Sequence, residues 1–255
     1  MALRPTDPGQ LALGLEHPES FSRDDFLESP SNAAALALVD RWPDWPARGL
    51  VLAGPAGAGK SHLAAIWAER AGARLLPAAA LTEAGVPDAL SAGALVIEDV
   101  TPAVDAVALF HLLNLARAQG AFLLLTVATP PAGWTLRLPD LHSRLRAMPV
   151  VQIAAPDAAL LRAVLVKLFA DRQLAVDEGL LTYVERRIER SLATARAVVA
   201  ALDQEGLRRK RPVTRALAVE VLGRAEGAGA DAESEGASRP DGSGGADRAD
   251  GPGVG

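Results

Sequence analysis

The chain has 255 residues, nearly half of them hydrophobic, a formal net charge of −5 and no cysteine. That length can bury one large core or two small ones, and the missing cysteine excludes a disulfide scaffold, a thiolate metal site and a thiol nucleophile. No basic start precedes an apolar stretch and no run reaches the roughly 18 apolar residues of a membrane span, so the expectation is a soluble, cytoplasmic protein without membrane contact.

The charge is unevenly placed. Seven of the 31 acids but only two of the 26 bases, Arg239 and Arg248, fall within residues 225–255. The remainder is balanced, so overall charge argues neither for nor against a nucleic-acid partner. Residues 1–20 are punctuated by Pro5, Pro8, Gly9, Gly14 and Pro18 and read as a flexible arm. Within it Gln10, Leu11, Leu13 and Leu15 place leucines at alternate positions, on one side of an extended chain. Such a stretch either packs on its own domain or serves as a docking peptide. Beyond Phe21, Ser31 or Asn32 can cap an Ala- and Leu-rich helix over 33–41, which Trp42-Pro43-Asp44-Trp45-Pro46 ends.

The most informative stretch is Gly54-Pro55-Ala56-Gly57-Ala58-Gly59-Lys60-Ser61, which satisfies G-x-x-x-x-G-K-[ST] between an apolar strand (Leu50 to Ala53) and a helical run from His62. Strand, loop and helix in that order make a phosphate-binding loop: Gly54, Gly57 and Gly59 let backbone N–H groups converge, and the helix adds its positive end. Lys60 would reach the β- and γ-phosphates and the Ser61 hydroxyl would ligate Mg²⁺. After Arg74-Leu75-Leu76, a possible strand, and an indistinct 77–93, the run Ala94 to Ile97 closes on Glu98 and Asp99. Acids at the end of a strand parallel to the first suit a metal ligand, assigned to Glu98, and a group that orients the attacking water, assigned to Asp99.

A helix is expected over 104–119, stopped by Gly120, and a buried strand over 121–127. Thr126 and Thr129 are candidates for touching the γ-phosphate or the water. A loop and short helix containing Leu138-Pro139-Asp140-Leu141-His142-Ser143-Arg144-Leu145 leads to a fifth strand at 150–153. Alternating strands and helices predict an α/β domain over 21–155, a parallel five-stranded sheet flanked by helices. Residues 156–224 are helical throughout, with starts near Asp157, Asp177 and Thr214, and read as a small all-α lid. Its densest basic run, Arg208-Arg209-Lys210-Arg211, reads first as a solvated face. The segment 225–255, rich in Gly, Ala, Ser, Pro and Asp, has the composition of a disordered acidic tail.

Together these features resemble an AAA+ P-loop NTPase, and several stretches are similar to the DnaA replication initiators: Asp25-Phe26 with Ser31-Asn32-Ala33, and Gly59-Lys60-Ser61-His62-Leu63 in the phosphate loop. Leu138 to Leu145 resembles the arginine-finger segment of the Hda family, short DnaA homologues that switch DnaA off. Arg196 sits where these families place the lid arginine called sensor 2, and Gln10 to Leu15 resembles the peptide with which Hda proteins grip the sliding clamp, the β subunit of the polymerase. Gly14 stands where that peptide usually has Pro, and Glu98 where the acidic pair usually opens with Asp. About 38 residues separate Lys60 from Glu98, little room for the insertion with which DnaA holds single-stranded DNA, and no helix-turn-helix follows the lid.

The resemblance implies a negative regulator of replication initiation that binds ADP or ATP with Mg²⁺ through Gly54, Gly57, Gly59, Lys60, Ser61, His62 and Arg196. It would dock on the clamp, meet DNA through it, and present Arg144 to ATP on DnaA, with little turnover of its own. The alternative is a helicase-loader-like or DNA-binding AAA+ ATPase driven by its own turnover, and a homo-oligomer is compatible with either.

Overall fold

A computed structural model describes residues 21–223. The arm residues Gln10, Leu11, Leu13 and Leu15 and the acidic tail lie outside the described residues.

The chain divides into two compact units, one running up to Leu160 and including Arg190–Ala193, the other made of Leu161–Glu189 and the residues from Thr194 onward. The expected boundary at 155/156 differs from this division in two ways. The break falls inside a helix, and a four-residue piece of the helical region belongs to the first unit.

In the first unit, helix α1 (Ala33–Asp40) precedes strand β1 (Gly49–Ala53) and helix α2 (Lys60–Ala71). Strand β2 (Arg74–Pro77) is followed by short turns and helix α3 (Val86–Ala89), then strand β3 (Ala94–Val100), helix α4 (Ala106–Gln119), strand β4 (Phe122–Val127), helix α5 (Pro139–Ala147) and strand β5 (Val150–Gln152). The strands form one parallel sheet in the order β2-β3-β4-β1-β5. Helices cover both of its faces, as the near-continuous apolar strands require.

Alternation along each strand decides which face a residue serves. Val51, Ala53, Leu95, Ile97 and Leu125 pack with Leu109 and Leu112 of α4 and Leu141 of α5. Their neighbours Leu50, Leu52, Val96 and Leu124 pack with Leu36 of α1 and with Leu63 and Trp67 of α2. Trp67 is wholly buried and stacks on Trp45 at 4.9 Å between ring centroids.

Side-chain caps account for several helix starts. The Asp105 carboxylate accepts from the N–H groups of Val107 and Ala108 at 3.0 Å. α1 is different: Asn32 occupies its N-cap position without a side-chain cap bond. Its buried amide instead accepts from Ser29 N–H and donates to the Leu27 carbonyl, each at 2.9 Å. The tight turn before the helix captures the side chain, as local backbone partners do for Asn.

The second unit is all helical. It contains most of α6 (Ala158–Asp171), α7 (Glu178–Arg187), most of α8 (Leu192–Arg209) and α9 (residues 215–223) around a core of Leu165, Phe169, Leu180, Val184, Val199 and Leu202. Asp177 caps α7, its carboxylate accepting from Leu180 N–H at 2.7 Å. The first two bases of the run at the end of α8 are tied up locally: Glu205 binds Arg208 and Arg209, and Arg209 also reaches Glu220. Those guanidiniums hold the Glu205 carboxyl down at about 2. Among the described residues no helix is long and apolar enough to cross a membrane.

Candidate functional site

Parallel strands bring the ends of β1, β3 and β4 to one edge of the sheet, and the residues singled out from the sequence gather there. β1 leads straight into the loop. Gly54 donates to the Val127 carbonyl at 3.1 Å, and a Cβ on it would lie 2.3 Å from the Ile153 carbonyl oxygen, so only glycine fits. Gly57 has φ +70°, and a Cβ there would lie 2.0 Å from Ser191 Oγ. Gly59 is the N-cap of α2 with φ +101° and no side-chain cap. The first N–H groups of a long helix are thereby left facing the loop, the arrangement that receives phosphate oxygens.

Lys60 opens α2 and is buried, its ammonium donating to the Gly54 and Pro55 carbonyls at 2.8 and 2.9 Å. Burial lowers its pKa from the ordinary value, while the nearby carboxylates of Asp99 and then Glu98 pull it back up. Cation and acid pair therefore share one site although about 38 residues separate Lys60 from Glu98. Ser61 follows in the first turn of α2 and is exposed.

The acids owe their placement to a bulge. Ile97 pairs with Leu125 and Val100 with Val127, so β3 carries one more residue than β4 over this interval. Asp99 absorbs it with φ +55°, a left-handed conformation that Asp tolerates better than most side chains. Its N–H donates to Thr126 Oγ1 at 2.8 Å, and Thr126 is completely buried. The hydroxyl offered above as a γ-phosphate contact is therefore the clasp of the bulge. Thr129 accepts from Trp134 Nε1 through both its carbonyl and its hydroxyl.

Glu98 Oε1 is buried without a hydrogen-bond partner. An orphaned carboxylate oxygen in this position fits a hard cation. Among the described residues no three His, Asp or Glu side chains cluster to hold a metal by themselves. Mg²⁺ commonly takes one or two protein oxygens and completes its octahedron with phosphates and waters, so a full protein cage is not required of such a site.

His62 is buried away from solvent between the edges of Phe21 and Phe26, with its Nε2 3.0 Å from the Ser22 carbonyl oxygen. These contacts tie the leading segment to α2. A contact the sequence did not suggest is made by Leu192, whose N–H donates to the Gly57 carbonyl at 2.8 Å. The segment Arg190–Ala193 thus belongs with the loop, and no local motif announces it. Arg196 lies four residues beyond Leu192 in α8 and is half buried.

Arg144 is elsewhere. It lies in the last turn of α5, beside a pocket whose other walls include Gly49, where β1 begins, and Gly120 and Ala121, just before β4. These are the opposite ends of the strands from those carrying Lys60 and Asp99, a span of about 15 Å for five residues. Its guanidinium lies 5.4 Å from the Phe110 ring centroid and makes no ion pair with Asp140 among the described residues.

No family model matches the chain, and no curated protein matches it either. Solved structures do. Domain III of the replication initiation protein DnaA from Thermotoga maritima superposes with a TM-score of 0.66 at 18% identity, covering 80% of this chain and 96% of that one. AMPPCP-bound DnaA from Aquifex aeolicus gives 0.61 at 16% identity, covering 83% and 70%. The RuvB Holliday junction branch migration motor of Thermotoga maritima gives 0.61 at 14% identity, covering 80% and 71%. Identities this low speak for architecture alone, and the shared architecture is a five-stranded parallel sheet flanked by helices, as in domain III of DnaA.

Proposed function

We propose that the chain binds an adenine nucleotide at the loop built from Gly54, Gly57, Gly59 and Lys60, and acts as a negative regulator of replication initiation by stimulating hydrolysis of ATP held by a DnaA partner. Ser61 and Glu98 would hold Mg²⁺, which supplies charge neutralisation between phosphate oxygens. Lys60 places a buried cation at the phosphates, Asp99 stands beside it to orient water, and Arg196 couples the nucleotide to the lid. The arm residues Gln10, Leu11, Leu13 and Leu15 dock the protein on the sliding clamp, and DNA is met through the clamp. The fold, shared with an AMPPCP-bound DnaA, supports the adenine nucleotide.

The observation that carries the regulatory role is the position of Arg144. At the far end of the sheet from Lys60 it is out of reach of its own nucleotide, and with no ion pair among the described residues it is available to another's. A guanidinium brought to a γ-phosphate in trans stabilises charge that grows in the transition state, and such residues contribute about 10³ to 10⁵ in rate.

Arg144→Ala should fold, bind ADP and bind the clamp as the parent does, yet fail to accelerate conversion of DnaA-bound ATP to ADP on clamp-loaded DNA. Full stimulation by this variant would end the assignment. A second reading, a DNA-acting ATPase with its own turnover, draws on the RuvB-like architecture. It predicts that Arg144→Ala loses turnover in assays holding only this protein and DNA, so the two assays on one variant separate the readings.

A further inference from the structure

The end of the sheet opposite the phosphate loop holds a pocket of about 520 Å³, within the size range of small-molecule sites. Three arginines from separate elements line it: Arg48 from the turn before β1, Arg117 from the last turn of α4 and Arg144 from the last turn of α5. None of the residues lining it is acidic, and none of the three arginines makes an ion pair among the described residues. Leu113, Leu123 and Met148 contribute apolar wall.

Three arginines bordering one pocket whose lining holds no acid make that lining suited to an anion. Arg48 is also held in place. Its Nη1 donates to the Gly120 carbonyl at 2.9 Å and its guanidinium lies 4.9 Å from the Phe122 ring centroid. Ala47 and Arg48 both have positive φ, 55° and 51°, a conformation that residues with side chains rarely adopt twice in succession.

We infer that this pocket is a second ligand site for a small organic phosphate, with the guanidiniums on the phosphate oxygens and the apolar wall against the carbon portion. Guanidinium groups present paired N–H donors that match phosphate geometry, and three of them favour a dianion over a neutral ligand. A ligand held there also engages Arg144 and so would reduce the stimulation proposed above. The binding itself needs neither DnaA nor ATP, and can be tested apart from that reading.

The probe is phenyl phosphate, titrated into the full chain by calorimetry, with phenol and inorganic phosphate as controls that carry only one half of the recognition. Saturable phenyl phosphate binding is expected, at least tenfold tighter than either control, unchanged in Lys60→Ala and weakened at least tenfold in Arg48→Ala/Arg117→Ala. Because Arg117 is exposed, Arg117→Gln alone carries the test, with a several-fold loss expected, should the double variant not fold. Binding that disappears in Lys60→Ala but survives the arginine substitutions would place the probe in the phosphate loop and overturn the inference. So would the absence of saturable binding, or inorganic phosphate binding as tightly as phenyl phosphate.

Discussion

Lys60 and Thr126 show how much single side chains decide here. The Lys60 ammonium is buried against two loop carbonyls, and in the proposed nucleotide site its replacement would leave the phosphates without their cation. Lys60→Ala should lose most ADP affinity and with it the rise in melting temperature that ADP produces, as calorimetry and thermal unfolding will report. There is a pH signature as well. Because burial lowers the folded-state pKa below the ordinary 10.5, the unfolded chain holds more protons just below that pH. Stability from this group therefore increases as pH rises towards 10.5 and is lost as pH falls through the lowered value, a trend that Lys60→Ala should flatten in denaturant titrations. Thr126 acts on backbone. Thr126→Val keeps the shape but removes the acceptor of Asp99 N–H, costing about 1–3 kcal/mol by the usual scale for a buried donor left unpaired. Chemical denaturation measures that loss, and an unchanged midpoint would show that the bulge needs no clasp.

At the scale of elements, strand ends and helix ends do most of the positioning. The bulge in β3 re-aims two carboxylates, and the leading segment is locked by Asn32 and His62. Helix ends also absorb charge. Glu205 near the end of α8 binds Arg208 and Arg209, and those hydrogen bonds hold its carboxyl at about 2 against an ordinary 4.5. A depressed carboxyl contributes stability above its unfolded value and loses it as pH falls through the folded one, so the window runs from about pH 4.5 down to about 2. Glu205→Gln should flatten the stability curve of the second unit in that window, and salt should shrink the difference because the partner arginines are partly exposed. A curve of unchanged shape would deny the pair any role in stability.

For the molecule as a whole, the proposed activity depends on bringing a partner's nucleotide to Arg144, and the clamp is the proposed meeting place. Each leucine buried on binding contributes about 1.5 to 3 kcal/mol, part of which is spent on ordering the arm. Replacing Leu13 and Leu15 by Ala should abolish clamp binding and clamp-dependent stimulation, with thermal unfolding of the protein unchanged. A pull-down in which this variant still retains the clamp would remove the docking role.

Much of the fold is legible in the residue order because its signals are local. Apolar runs bounded by Gly and Pro mark β1, β3 and β4, three- and four-residue spacing marks α4 and the helices after Asp157, and Gly54 to Ser61 marks the glycine-rich loop between β1 and α2. The segment 77–93 stayed indistinct because it folds as short turns and the four-residue α3, too brief for any period to emerge. What only the tertiary structure decided is long-range: that Thr126 clasps Asp99, that Leu192 reaches back to Gly57, that His62 holds the leading segment, and that Arg48, Arg117 and Arg144 converge at the far end of the sheet. Strand order places these partners, and strand order is written in packing across the whole sheet rather than in the spacing of any one stretch.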